Sequence, residues 1–217
     1  MTGILKPLAV TCDFEKGLHN AVRFMFPGVR VNGCLFHWKQ AICKHMKAVR
    51  IKKLHIEMMM TPNVLDILTV IPRNEIYSKG IPYVKSIINP VILDNDDDSR
   101  VKMGVFWKYF KRFWCSDDKF IATWNINDPQ NEEHLELVNR TNNALERYNR
   151  TLNEMFSTPH PTVLNFVRTL EEESRRVVKY VENVALGHEI APEHKPCTYG
   201  SIPLIYKNFT VIVVEQV

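Results

Sequence analysis

The sequence predicts an α/β fold that is helix-rich overall, on three observations. The first 50 residues alternate short apolar runs with helical spacing, residues 51–138 carry helical patterns broken by prolines, and two long helical stretches follow before a short tail. Leu8-Ala9-Val10-Thr11-Cys12 is an apolar run ending at Asp13, which suits a buried strand whose C-terminal end delivers that carboxylate to the edge of a sheet. From Glu15 to Phe26 the apolar positions Leu18, Ala21, Val22 and Met25 recur at helical spacing, and Pro27-Gly28 ends the run. Val29 to Phe36 reads as a second strand, and Trp38 to Val49 returns to helical spacing through Ala41, Ile42 and Met46.

Beyond residue 50 the punctuation changes. Thr61-Pro62 reads as an N-cap and first turn for a helix from Asn63 to Val70, and Pro72, Pro82 and Pro90 interrupt the chain beyond it. Asp94 to Asp98 is an acidic turn, after which Val101, Val105, Tyr109 and Phe113 begin an aromatic-rich helix ending near Trp114. A helix from about Asn143 to Phe156, a Pro159-His160-Pro161 break and a helix from Thr162 to roughly Val184 complete the body. Past Gly187, a tail over 188–217 ends in an apolar run from Phe209 to Val214 with one possible strand, conjectured to cover the sheet edge beside Leu8 to Thr11.

The 217 residues, 45% hydrophobic, suffice for one domain of moderate size or a domain with an insertion. A net charge of +4 permits a polyanionic partner without demanding one. Five cysteines at 12, 34, 43, 115 and 197 form no close pair, and their odd number fits reduced thiols. No signal peptide or spanning run is present, so no membrane is expected.

Two distant segments could carry chemistry. Metal-dependent phosphodiester cleavage asks for about three carboxylates converging on a pair of oxygen-preferring ions, and Asp13 at a strand end and Glu146 on the first turn of a later helix each supply one. Taken singly, each also reads as a cap: Asp13 before a helix, and Asn143 with Glu146 as a capping-box variant. Asn142, Glu146, Asn149 and Asn153 fall on one helical face. Cys34, His37, Cys43 and His45 tempt a zinc reading, but their gaps fit no standard finger, and a buried thiol and a site-shaping or DNA-contacting imidazole are the default. Asp94, Asp96 and Asp98 open like a calcium loop that then fails at Ser99 and Val105. Lys44, Lys47, Arg50, Lys52 and Lys53 are the densest basic segment and could neutralise phosphates, or simply form a solvated helix face. Lys108, Lys111 and Arg112 lie among rings that at helical spacing are mostly core.

Four places in order, Thr11-Cys12-Asp13-Phe14-Glu15, Phe26-Pro27-Gly28, Gly33-Cys34-x-x-His37 and Arg140-Thr141-Asn142-Asn143 with Glu146 and Asn149, resemble the catalytic domain of Mutator-like (MULE) transposases, as does Trp124-Asn125. The resemblance covers roughly residues 5–175. It implies a partial ribonuclease H-like core over 1–50, a large mostly helical insertion over 51–138, and a catalytic-type helix with its follower over 139–187. It also implies an Asp-Asp-Glu site of which Asp13 and Glu146 are two acids, both catalytic and ligands of Mg²⁺ or Mn²⁺. Cys34, His37, Asn142 and Asn149 shape that site, and the lysines and arginine at 44–53 contact DNA. The partners expected are transposon ends or target DNA and a transposase oligomer, in the nucleus. The strand bearing the first Asp is expected to lie before Met1, making this an N-terminally truncated domain. The alternative is a non-catalytic transposon remnant that binds DNA or a protein partner.

Overall fold

In the computed structural model, residues 6–92, 96–127, 140, 143–191 and 202–210 are described, with 143–145 described in backbone only. The protein is helix-rich, with two strands among the described residues, and divides into two compact units: 1–141 with 197–217, and 142–196.

The first unit opens with β1 (Ala9–Cys12), α1 (Lys16–Met25), β2 (Arg30–Gly33) and α2 (Leu35–Ala48). β1 and β2 pair in parallel with Ala9 opposite Arg30 and Cys12 opposite Gly33. The ladder runs on past the strand ends, where Cys34 N–H donates to Cys12 O at 2.8 Å. The second strand is shorter than its apolar pattern predicts, because Leu35 and Phe36 already belong to α2. α1 forms where its spacing predicts, but Leu18 and Met25 are exposed and His19 is its buried residue. Periodicity found the helix without finding the side it packs on.

The described residues of 51–138 are mostly helical with loops, as expected: α3 (Lys53–Met60), α4 (Ile81–Ile88), α5 (Asp97–Trp114) and α6 (Asp118–Trp124), with 3₁₀ turns at Leu65–Thr69 and Asn89–Val91 and one π turn at Ile76–Gly80. Thr61 does not cap a following helix. It ends α3, its Oγ1 donating back to Glu57 O at 3.1 Å, and Asn63 at φ 66° turns the chain into the 3₁₀ segment. Of the acidic turn, Asp96 to Asp98 open α5, where the Asp96 side chain accepts from Ser99 N–H, and residues 94 and 95 lie outside the described residues. A hydrogen bond from Lys52 Nζ at 2.6 Å, helped by Ser99, brings the Asp96 carboxyl down to about 2.

An aromatic cluster forms the centre of this unit. Trp38 of α2 is wholly buried, stacked on Trp124 (5.7 Å, 25°) and edge-on to Trp114 and Phe110. Ile42 and Met46 continue its face at four-residue intervals, and Phe106, Phe110 and Trp114 answer from α5. Such rings bury large apolar areas and gain further from tilted and stacked geometry. The second unit consists of α7 (Asn143–Glu154) and α8 (Val163–Ala185). Thr162 caps α8 by accepting from Asn165 N–H, and Phe156 stacks on Phe166 at 5.7 Å. α8 ends at Gly187, which takes φ 75° while His188 N–H reaches back to Asn183 O, a termination that needs the left-handed backbone glycine allows. Within α8, Arg176 grips the buried Glu173 through two bonds of 2.6 and 2.7 Å and holds its carboxyl below the usual range.

The tail returns to the first unit. α9 (Leu204–Lys207) buries Tyr206, whose hydroxyl donates to Glu75 Oε2 at 2.9 Å, and Phe209 sits edge-on to Tyr83. Residues 202–210 of the tail therefore pack on α4 and Glu75, while Leu8 beside the sheet edge stays 78% exposed. Residues 211–214 of the conjectured strand lie outside the described residues.

Candidate functional site

Asp13 follows β1 directly, so the strand delivers its carboxylate to the end of the sheet as expected. It is not the N-cap of α1, a position that belongs to Glu15. Its Oδ1 instead lies 3.1 Å from His37 Nδ1 on the first turn of α2. The two side chains meet because Cys34, fully buried and the N-cap of α2, is hydrogen-bonded to Cys12 beside them. On the other side, the Asp13 carbonyl accepts from His19 Nε2 at 2.5 Å, which fixes the proton of that neutral ring on Nε2. Burial pushes the His19 imidazole below its ordinary range.

Phe14 turns the other way and anchors the carboxylate to the core. Its ring stands edge-on to Trp114 (5.1 Å) and Phe120 (6.2 Å) and passes over Gly33. A Cβ at Gly33 would come 2.2 and 2.3 Å from two atoms of that ring. Gly33→Ala is therefore expected to destabilise by about 1–3 kcal/mol through overpacking and to displace Asp13 with Phe14. A melting curve unchanged from the parent protein would refute this close packing.

The segment after the insertion is brought back to the same strand end. Arg140, buried, accepts at its carbonyl from Leu35 N–H at 2.7 Å, and its guanidinium reaches Thr69 Oγ1. Thr69 O in turn accepts from Ile126 N–H, while Ile126 O takes an Arg30 guanidinium bond at 2.8 Å. Sequence distances of 71 and 96 residues are thus closed around β2 and the start of α2.

Asp13 and His37 sit at one end of a cleft of about 1040 Å³ between α2 and α5. Phe36, Gln40, Lys44 and Lys47, on one face of α2, form one wall, and Tyr109 and Phe113 of α5 stand on the other. The basic segment is divided. Lys44 and Lys47 line the cleft without an acidic partner among the described residues, whereas Lys52 pairs with Asp96 and Lys53 with Glu57 at 3.6 Å. Arg50 is exposed and takes the left-handed turn (φ 59°) that ends α2. Cys43 lines the cleft, and His45 stacks on Tyr109 at 3.5 Å.

Compared with protein-family models, curated proteins and solved structures, the chain matches none. Glu146 and Asn149 belong to α7 of the second unit, with Glu146 in the first helical turn, Asn149 exposed, and Asn153 one turn beyond on the same face. Asn142 lies outside the described residues. Among the described residues, no group of three or more His, Cys, Asp or Glu side chains converges as a metal cluster would. No helix among them is long and apolar enough to cross a membrane.

Several contributors were not singled out from sequence. Lys39 is held at the cleft by Asp66 at 2.7 Å, and Phe36, Gln40 and His19 complete the surroundings. The three- and four-residue spacing of Phe36, Gln40, Lys44 and Lys47 is the signal that could have found the wall.

Proposed function

We propose that this chain is a Mutator-like transposase-type domain with a partial ribonuclease H-like core. In this reading it acts on DNA in the nucleus and contributes Asp13 and Glu146 to a metal-dependent strand-cleaving site. The observation that carries the reading is the return of Arg140 to the N-terminus of α2, beside Cys34, His37 and the Asp13 strand end. Glu146 follows Arg140 by six residues. Thus Arg140, the first residue of the second segment that resembles the family, is hydrogen-bonded beside the first within one unit, which supports the reading.

Asp13 offers the oxygen donors that Mg²⁺ or Mn²⁺ prefer, and such ions supply activation of the attacking oxygen and charge stabilisation of the leaving one. Three acids are needed, and the described residues of this chain bring two, one in each unit. By themselves they do not make up the site. Without an ion, His37 Nδ1 lies 3.1 Å from Asp13 Oδ1 and faces the carboxylate.

The test is cleavage and strand joining on supercoiled and linear DNA with Mg²⁺ or Mn²⁺, comparing the parent chain with Asp13→Ala and Glu146→Ala. Activity in the parent that falls to background in both variants supports catalysis. Equal background in all three removes it.

A second reading has its own observation. With its carboxylate engaged by His37 and no three-acid group among the described residues, the domain fits a non-catalytic remnant that binds DNA through the Lys44 and Lys47 wall. In that case DNA binding survives in all three proteins and cleavage is absent from each.

A further inference from the structure

The cleft beside Asp13 pairs cations with rings that have no structural need to be bare. Phe113 is 50% exposed and Phe36 49% exposed, yet Trp38 of α2 and Phe106, Trp107, Phe110 and Trp114 of α5 are buried almost completely. Phe113 also ends a ladder: His45 lies parallel to Tyr109 (14°), and Tyr109 to Phe113 (10°, 5.6 Å). Its other ring contacts are edge-on, to Trp114 (5.2 Å, 81°) and Phe120 (5.8 Å, 84°), and the exposed half of the ring is a platform for another flat ring. Lys44 and Lys47, exposed and without acidic partners among the described residues, stand on the facing wall where a phosphate chain alongside that ring would run. At about 1040 Å³ the space is at the upper end of ligand pockets, roughly 300–1,000 Å³.

We propose that this cleft binds single-stranded DNA, with a base stacked on Phe113 and the backbone held by Lys44 and Lys47. Duplex DNA keeps its bases stacked on one another and cannot offer a free face to Phe113, whereas an unpaired strand can, and base–aromatic stacking of this kind tolerates any sequence. The proposal deepens the DNA-cleavage reading by naming the strand form that lies beside Asp13, but the binding it describes requires no catalysis and no metal.

Fluorescence anisotropy of the full chain in EDTA, with a labelled twelve-nucleotide oligothymidylate, a duplex of equal length and an oligouridylate, tests it. The expected order is oligothymidylate tighter than duplex. Phe113→Leu, which keeps apolar bulk and removes the ring, is expected to weaken oligothymidylate binding roughly tenfold and leave duplex binding unchanged. Lys44→Ala with Lys47→Ala is expected to reduce the dependence of log affinity on log salt by about 0.7 per lysine. Circular dichroism identifies any variant that has not folded, and Phe113→Tyr then serves in its place, with binding retained. Duplex bound as tightly as the single strand, Phe113→Leu without effect, or oligouridylate preferred would each overturn the assignment. Loss of cleavage in Asp13→Ala with oligothymidylate binding intact would leave this inference standing, and absent cleavage in the parent would not touch it.

Discussion

Trp38→Ala is expected to destabilise the first unit by about 3–5 kcal/mol, the range for truncating a fully buried large aromatic. The indole is completely enclosed and meets rings from two other helices at once: stacked on Trp124, edge-on to Trp114 and edge-on to Phe110. Its loss opens a cavity that α2, α5 and α6 all border. These helices cannot close on it without giving up other contacts, because Trp124 is also tied through Nε1 to Trp114 O at 2.7 Å. For a chain of this length the cost corresponds to a fall of roughly 6–20 °C in melting temperature. Near-ultraviolet circular dichroism should flatten at lower denaturant than in the parent protein. A midpoint shift worth less than about 1 kcal/mol would mean that this aromatic cluster is not the centre of the unit. Trp38→Phe is expected to cost much less, since it keeps ring contacts and removes an indole N–H that finds no acceptor among the described residues.

Local signals were legible and long-range ones were not. Ala9–Cys12 ending at Asp13, the Pro27-Gly28 stop and the Thr162 cap depend on a few adjacent residues, and the sequence located each. The Leu18, Ala21, Val22 and Met25 stripe announced a helix, but which face a helix buries is decided by what packs on it, and there His19 took the buried place. Thr61-Pro62 carries a helix-start signature, yet the Asn63 backbone and the bond from Thr61 to Glu57 use it as a stop. Five consecutive basic positions looked alike in sequence, and acids 44 and 4 residues away separated Lys52 and Lys53 from Lys44 and Lys47. For the candidate site, Asp13, Cys34 and His37 were identified by residue type and order. Their geometry depends on a parallel strand pair and on Arg140 returning across 105 residues to Leu35, which no local pattern encodes.

Asn125→Asp is expected to be as damaging as the loss of Trp38, although it changes one atom. The Asn125 side chain is wholly buried; its amide nitrogen donates to Leu68 O (2.8 Å) and Ile71 O (2.9 Å), and its oxygen accepts from Asn127 N–H (3.0 Å). Its two donor bonds tie the end of α6 to the chain at Leu68 and Ile71, and its oxygen fixes the backbone at Asn127. An aspartate puts an oxygen where two carbonyl oxygens need a donor and buries a charge, at a cost of about 3–5 kcal/mol. The sign of the pH dependence separates charge from lost hydrogen bonds. Burial and the facing carbonyls raise the carboxyl of the folded variant above its unfolded value of about 3.9, so the folded state binds the extra proton. The deficit is therefore least below about pH 4, where one O–H donor is restored, and grows as pH rises through the folded value. Asn125→Ala, which leaves the same carbonyls unpaired but adds no charge, is expected to be destabilised with no such added pH slope. Urea midpoints of both variants between pH 4 and 8 decide the matter: parallel curves would show that the buried charge adds nothing to the lost hydrogen bonds. The divergence expected here would mean that the position rejects charge itself, and that the amide is there for the two donor bonds it gives to Leu68 and Ile71.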